Sequence, residues 1–269
     1  MRESPVSVDT DPIPIVLVAS GTTTAASATY RRIDAECRRH FPEHAIHWAY
    51  SSRAIRRRLR EDTGAVLPTP QAVLEGLRRE GGARAVVQSL HLICGIEFHQ
   101  LVWQAAQSPL HIHLGLPLLA SPEDFDTLLE WVAAVRPSAE GEALVLVGHG
   151  TAHPAWMAYA VLEQRLARRF GATVLLGQVK GQPSPDAIAD RLAAAGCRQV
   201  HLRPFMLVAG AHFMQDIAGP QAASWQSRLA GQGLDVSATA EGLGADALPI
   251  GIFRRHIAAA LAGRPLDLA

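Results

Sequence analysis

The sequence predicts an α/β protein made of two similar halves around a cleft, each half a parallel sheet flanked by helices. Three observations carry that prediction. Short β-rich runs alternate with longer helical patterns from one end of the chain to the other. The β-rich runs are almost continuously apolar, the pattern of parallel strands covered on both faces. Finally, VLVASGT from Val16 to Thr22 matches VLVGHGT from Val145 to Thr151.

Taken in order, the first strand is expected over 15–20, where IVLVAS runs apolar into a glycine, with a helix over 24–40 behind it. A strand over 45–49 and the arginine-rich stretch SSRAIRRRLRED follow. A helix over 71–79 leads into a strand over 85–91, another helix begins near Gly95, and a strand covers 112–116. Ser121-Pro122-Glu123 then opens a helix over 122–135, because serine caps the free amides and proline presets the first helical φ. The second half is expected to run strand 143–148, helix 155–169 and strand 173–178. After them come a helix over 185–195 opened by Ser184-Pro185-Asp186, strands over 199–205 and 235–238, and a final helix over 249–262.

The repeat extends further. Ile93-Cys94-Gly95-Ile96-Glu97-Phe98 matches Val208-Ala209-Gly210-Ala211-His212-Phe213, so Glu97 falls opposite His212, as Ser20 falls opposite His149. The chain reads as a duplicated unit with its boundary in the polar stretch 137–141, giving an N-terminal half over 1–139 and a C-terminal half over 140–269. In such sheets ligands sit beyond the carboxyl ends of the strands, and a cleft between two halves is a common site.

Composition excludes several classes. Lys plus Arg and Asp plus Glu number 25 each, so no overall field draws the chain to nucleic acid or an anionic membrane. Cys37, Cys94 and Cys197 are widely spaced and odd in number, which argues against a disulfide framework or a thiolate zinc site. No apolar run approaches the ~20 residues that span a bilayer, and MRESPVSVDTDPIP lacks the basic and apolar regions of a signal peptide. A cytoplasmic protein is expected, and the sequence is compatible with a homo-oligomer.

Twelve histidines are many for this length, and histidine is both the usual neutral nitrogen ligand and the usual proton carrier near pH 7. His149 follows the apolar run LVLV between two glycines, and His212 follows PFMLVAG at a helix start. Two histidines at strand ends of one half can point into one crevice as a two-nitrogen metal site with open positions. The competing reading makes each a core or capping histidine. GHG lacks the central Ser or Cys of a nucleophile elbow, and the stretch 21–24 lacks a phosphate-loop pattern. Arg53, Arg56, Arg57 and Arg60 recur at helical spacing, and such a basic face suits a substrate with several carboxylates, or else pairs with Glu61 and Asp62 in solvent. Glu97 either supplies a carboxylate to the cleft or lies on the surface, and His91 is a weaker candidate beside it. His153 shares a face with His149 or caps the next helix, while His44, His47, His111 and His113 flank strands and read as structural or exposed.

With these residues in view, the sequence resembles the anaerobic cobalt chelatases that insert cobalt into sirohydrochlorin, within the class II chelatase superfamily. The resemblance is collinear from Ile15 to about Ala262, through SGTTTA, SSRAIRRRLREDTG, VQSLHLICGIEF, LGLPLLAS, LVGHGTAHPAW and HLRPFMLVAGAHFMQDIA. It implies two Rossmann-like halves around a tetrapyrrole cleft, His149 and His212 as metal ligands, and His149 as acceptor of a pyrrole proton. It also implies that Glu97 faces the cleft in a catalytic role, and that Gly21, Thr22, Arg53, His91 and Lys180 lie on the substrate side. The metal, Co²⁺ ahead of Fe²⁺ or Ni²⁺, is then a substrate, and no organic cofactor is expected. Lys180 departs from the family pattern, which has a metal-binding glutamate there; a lysine repels a divalent cation at close range. Ala211 and Gln215 also replace polar family residues. The rival readings are an iron or nickel chelatase of the same fold, a non-catalytic tetrapyrrole or metal carrier, and an unrelated α/β protein whose histidines are structural.

Overall fold

A computed structural model describes residues 12–24 and 27–263. The N-terminal segment read above as free of a signal peptide lies outside the described residues up to residue 11, as do residues 25–26 of the expected first helix.

Two four-stranded parallel sheets form. In the first, β1 (Ile15–Ala19) lies between β2 (Ile46–Tyr50) and β3 (Arg84–Ser89), with β4 (His111–Gly115) beyond β3. The second repeats that order with β5 (Glu142–Gly148) between β6 (Val174–Gln178) and β7 (Gln199–Phe205), and β8 (Asp235–Ala238) outermost. All six pairings are parallel, as the apolar runs require. The order reverses between β1 and β3 and again between β5 and β7, so each sheet opens a ligand crevice beyond those strand ends.

The helices are α1 (Ser27–His40), α2 (Arg53–Thr63), α3 (Pro70–Arg79), α4 (Ile96–Ala106) and α5 (Pro122–Val135) in the first half. In the second come α6 (Met157–Phe170), α7 (Pro185–Ala194), α8 (Trp225–Gly231) and α9 (Ala247–Leu261). The two serine–proline starts behave as read: Ser121 and Ser184 each accept from a backbone amide of the first turn, and Asp124 completes a capping box at Ser121. The arginine run forms the helix its spacing implied, α2, capped by Ser52 and ended at Gly64, while several strand and helix bounds shift. β3 stops at Ser89 rather than residue 91, because the carbonyls of His91 and Leu92 accept from Leu118 and Leu119 in the loop after β4. The turn Pro154–Trp156 is 3₁₀, so α6 begins only at Met157.

Alternation along the central strands divides the core. Ile15 and Leu17 of β1, with Leu144 and Leu146 of β5, join one apolar cluster shared by both sheets. α5 contributes Leu128 and Trp131 to it, and α9 contributes Phe253 and Ile257. Val16 and Val18 face a separate cluster under α3 and α4, while Val145 and Val147 face one under α7 and α8. The last helix, α9, packs back onto β3 and β4 of the first sheet. There His256 pairs with the carboxylate of Asp124 (3.1 Å) and, through Nδ1, with the carbonyl of Leu116 (2.9 Å). Both partners are acceptors, so the arrangement is satisfied when both ring nitrogens carry hydrogen. The three cysteines are free thiols.

Candidate active site

Four loops meet at the carboxyl ends of β1, β3, β5 and β7. His149 follows β5 directly, and its neighbour Gly150 (φ +79°) shows why glycine stands there: a Cβ would lie 1.8 Å from the carbonyl oxygen of Lys180. The loops after β5 and β6 are thus pressed together, with the Lys180 amide donating to the His149 carbonyl at 2.9 Å. His212 sits at the entry to a short π-helical turn, Phe213–Ile217, beyond β7. The two imidazoles lie with centroids 4.4 Å apart and planes tilted by 54°.

Each ring is prepared differently. His212 Nδ1 is 2.6 Å from Asp216 Oδ2. A carboxylate only accepts, so Nδ1 donates and the ring is held with Nε2 facing away from Asp216, the kind of contact that orients metal-binding histidines. His149 is half-buried, and its Nδ1 is enclosed without a partner in hydrogen-bonding geometry. Burial pushes its pKa below the ordinary histidine value; its own backbone opposes that, the neighbouring His212 and Lys180 add to the lowering, and Glu97 pulls the other way. The ring is therefore neutral and nucleophilic near pH 7. Among the described residues no group of three His, Cys, Asp or Glu side chains gathers as a metal cage. Two nitrogens with the remaining coordination positions open suit a cation that is passed on.

The first half supplies oxygen atoms at the equivalent places. Ser20 Oγ donates to Glu97 Oε2 at 2.9 Å, with Glu97 in the first turn of α4. His91 lies behind that carboxylate rather than on the cleft wall: it is 7% exposed, its Nδ1 pairs with Ser89 Oγ (2.8 Å) and its Nε2 with Ser51 Oγ (3.0 Å). Burial lowers its pKa against the pull of Glu97. The halves touch where a Cβ on Gly210 would come 3.3 Å from Thr22 Oγ1, and Thr22 in turn pairs with Thr24 (3.0 Å). Gly21 is buried, at φ +100° against Ile55.

Comparison with known proteins decides the family. Residues 14–262 match the family described as Cobalt chelatase (CbiK). The chain belongs to the cobalt chelatase family. The sirohydrochlorin cobaltochelatase of Salmonella typhimurium is 35% identical to it over 239 residues, 87% of this chain and 88% of that one. Sirohydrochlorin cobaltochelatase CbiKC of Nitratidesulfovibrio vulgaris is 34% identical over 231 residues, covering 82% and 80%. Among solved structures, SirB from Bacillus subtilis with Fe³⁺ superposes with a TM-score of 0.63 at 15% identity, covering 94% of this chain and 96% of that one. CbiX, described as the terminal enzyme of siroheme biosynthesis in denitrifying bacteria, gives 0.55 at 16%, covering 92% and 99%. At those identities the likeness speaks for the fold of two parallel-sheet halves alone.

In this chelatase the remaining candidates separate. Arg53 is exposed at the start of α2, whose cap Ser52 donates its amide to Ser20 O (3.3 Å), so the helix begins at the cleft. Arg57 and Arg58 pair along the helix with Glu61 and Asp62, whereas Arg53, Arg56 and Arg60 have no ion-pair partner among the described residues. His153 caps the 3₁₀ turn by accepting from Ala155 N, and its ring meets His99 edge-on at 5.1 Å. Asp216, Ser51 and His99 escaped the sequence reading. For Asp216 a signal existed, since a carboxylate four residues after His212 shares its helical face. No local pattern marks Ser51, which reaches His91 only through the pairing of β2 with β1.

Proposed function

We propose that this chelatase inserts a divalent metal, Co²⁺ in preference to Fe²⁺ or Ni²⁺, into sirohydrochlorin. The carrying observation is the His149–His212 pair, 4.4 Å apart at adjacent strand ends and answered across the cleft by Ser20 and Glu97. The likeness to two sirohydrochlorin cobaltochelatases supports the substrate and the metal. In this reading the cation exchanges water for one nitrogen of His149 and one of His212, and keeps other positions for pyrrole nitrogens. Two pyrrole protons must leave as the metal enters. His149, held neutral by burial and nearby positive charge, accepts one on the nitrogen that the cation vacates as it passes to the pyrrole nitrogens, Glu97 supplies negative charge that favours the resulting imidazolium, and the second proton leaves to solvent water. The halves over 1–139 and 140–269 each supply one wall. Substrate carboxylates meet Arg53 and the backbone around Gly21 and Thr22, while His91 acts through Glu97.

The test mixes metal-free protein with sirohydrochlorin and Co²⁺ and follows the visible spectrum against a protein-free control. Acceleration is expected, and repeating it with Fe²⁺ and Ni²⁺ ranks the metals. A bound but unmetallated spectrum would instead establish a carrier, the reading that the cationic Lys180 beside His149 favours.

A further inference from the structure

Lysine occurs once in these 269 residues, at position 180, and the other 24 cationic side chains are arginine. The backbone of that single lysine is bonded to the backbone of His149 at 2.9 Å, and Gly150 lets the two loops close to contact. Its side chain is exposed, has no ion-pair partner among the described residues, and is near enough for its charge to be felt at the His149 ring. Beside the two imidazoles, Asp216 is engaged with His212 and Glu97 with Ser20, Lys180 is a cation with no ion-pair partner, and no third His, Cys, Asp or Glu completes a metal-holding group among the described residues. An unneutralised ammonium opposes a dication settling on the histidines, and the same ammonium attracts a carboxylate.

We infer that Lys180 orders the two substrates: it takes up a carboxylate of the tetrapyrrole, and until it does so it keeps the divalent cation off His149 and His212. This rests on the chelatase reading above. The free protein then holds the metal weakly, and tetrapyrrole binding cancels the positive charge and admits the cation. A flexible ammonium can swing to a carboxylate and away from the metal, which a ligand fixed on the β6 loop could not do.

Equilibrium dialysis of Co²⁺ against tetrapyrrole-free protein, at low ionic strength, tests the first half of the inference. Lys180→Gln should bind Co²⁺ about fivefold more tightly, the effect of one unit charge on a dication roughly 8 Å away in water, and added salt should erode the difference. Steady-state insertion tests the second half: the same variant should show a KM for sirohydrochlorin raised about fivefold. In the wild type, sirohydrochlorin should shield Lys180 from an acylating reagent, read by peptide mass. Unchanged Co²⁺ affinity, unchanged KM or unshielded Lys180 would overturn the ordering role. Failure of the wild type to insert metal would instead remove the chelatase reading on which it rests.

Discussion

The two halves share one strand order and one placement of functional loops, yet they present different chemistry at equivalent positions. Beyond β5 and β7 the second half offers two nitrogen rings, His149 and His212. Beyond β1 and β3 the first half offers the Ser20 hydroxyl bonded to the Glu97 carboxylate. The same strand order places equivalent crevices in both halves, and the residues at two positions in each give one a pair of imidazoles and the other a carboxylate with a hydroxyl. The shared scaffold explains where the groups are, and the side chains explain why the two halves present different chemistry.

That asymmetry is broken most severely by His149→Ala or His212→Ala. Insertion of Co²⁺ should fall about 10²- to 10⁴-fold in either variant, the range for losing a positioned acid–base group, with circular dichroism unchanged. Full activity in His149→Ala would place the chemistry elsewhere. The halves are also unequal in how they are closed, since α9 from the second half seals the first. Asp124, 1% exposed, sits under His256 and Arg255 of that helix. Asp124→Asn should cost about 3–5 kcal/mol, the usual loss on breaking a buried pair, read as a lower urea midpoint. Burial raises the Asp124 pKa, but hydrogen bonds from His256 and Ser121 outweigh it and leave it below the ordinary value. Its stabilisation is therefore present above the unfolded carboxyl value near ~3.9 and fades as pH falls through the lower folded value.

A smaller effect sharpens the nitrogen half alone. Asp216→Asn should weaken Co²⁺ binding about 10- to 100-fold, as loss of an orienting carboxylate does, while leaving stability unchanged. The smallest effect probes the two halves together. Because the His149 pKa is lowered, protons compete with the metal for that ring only below the usual histidine value of ~6.5. Glu97 opposes that lowering, so Glu97→Gln should move the acid limb of Co²⁺ binding to still lower pH. An acid limb that moved up, or stayed in place, would show that the carboxylate does not act across the cleft.

Much of this was legible beforehand for a physical reason. Strands over 199–205 and 235–238 have the expected bounds; β7 is buried from Leu202 to Phe205, and β8 is a short, half-exposed outer strand beside it. Serine followed by proline marked α5 and α7 because capping is local chemistry. α8 was invisible, since WQSRLAG is short and its Trp225 finds its place only against β6 and α7. The chain gives no hint of the His91 contact with Ser51, which β2 brings up from forty residues away.

Periodicity, caps and the internal repeat are properties of neighbouring residues, and they suffice for two parallel-sheet halves and for pairing His149 with Ser20 and His212 with Glu97. Only the folded molecule decided that the imidazoles come within 4.4 Å, that Asp216 sets the form of one of them, and that α9 returns to the first sheet. Those outcomes depend on how loops and helices pack once both sheets share a core, and packing between distant segments leaves no trace in local pattern.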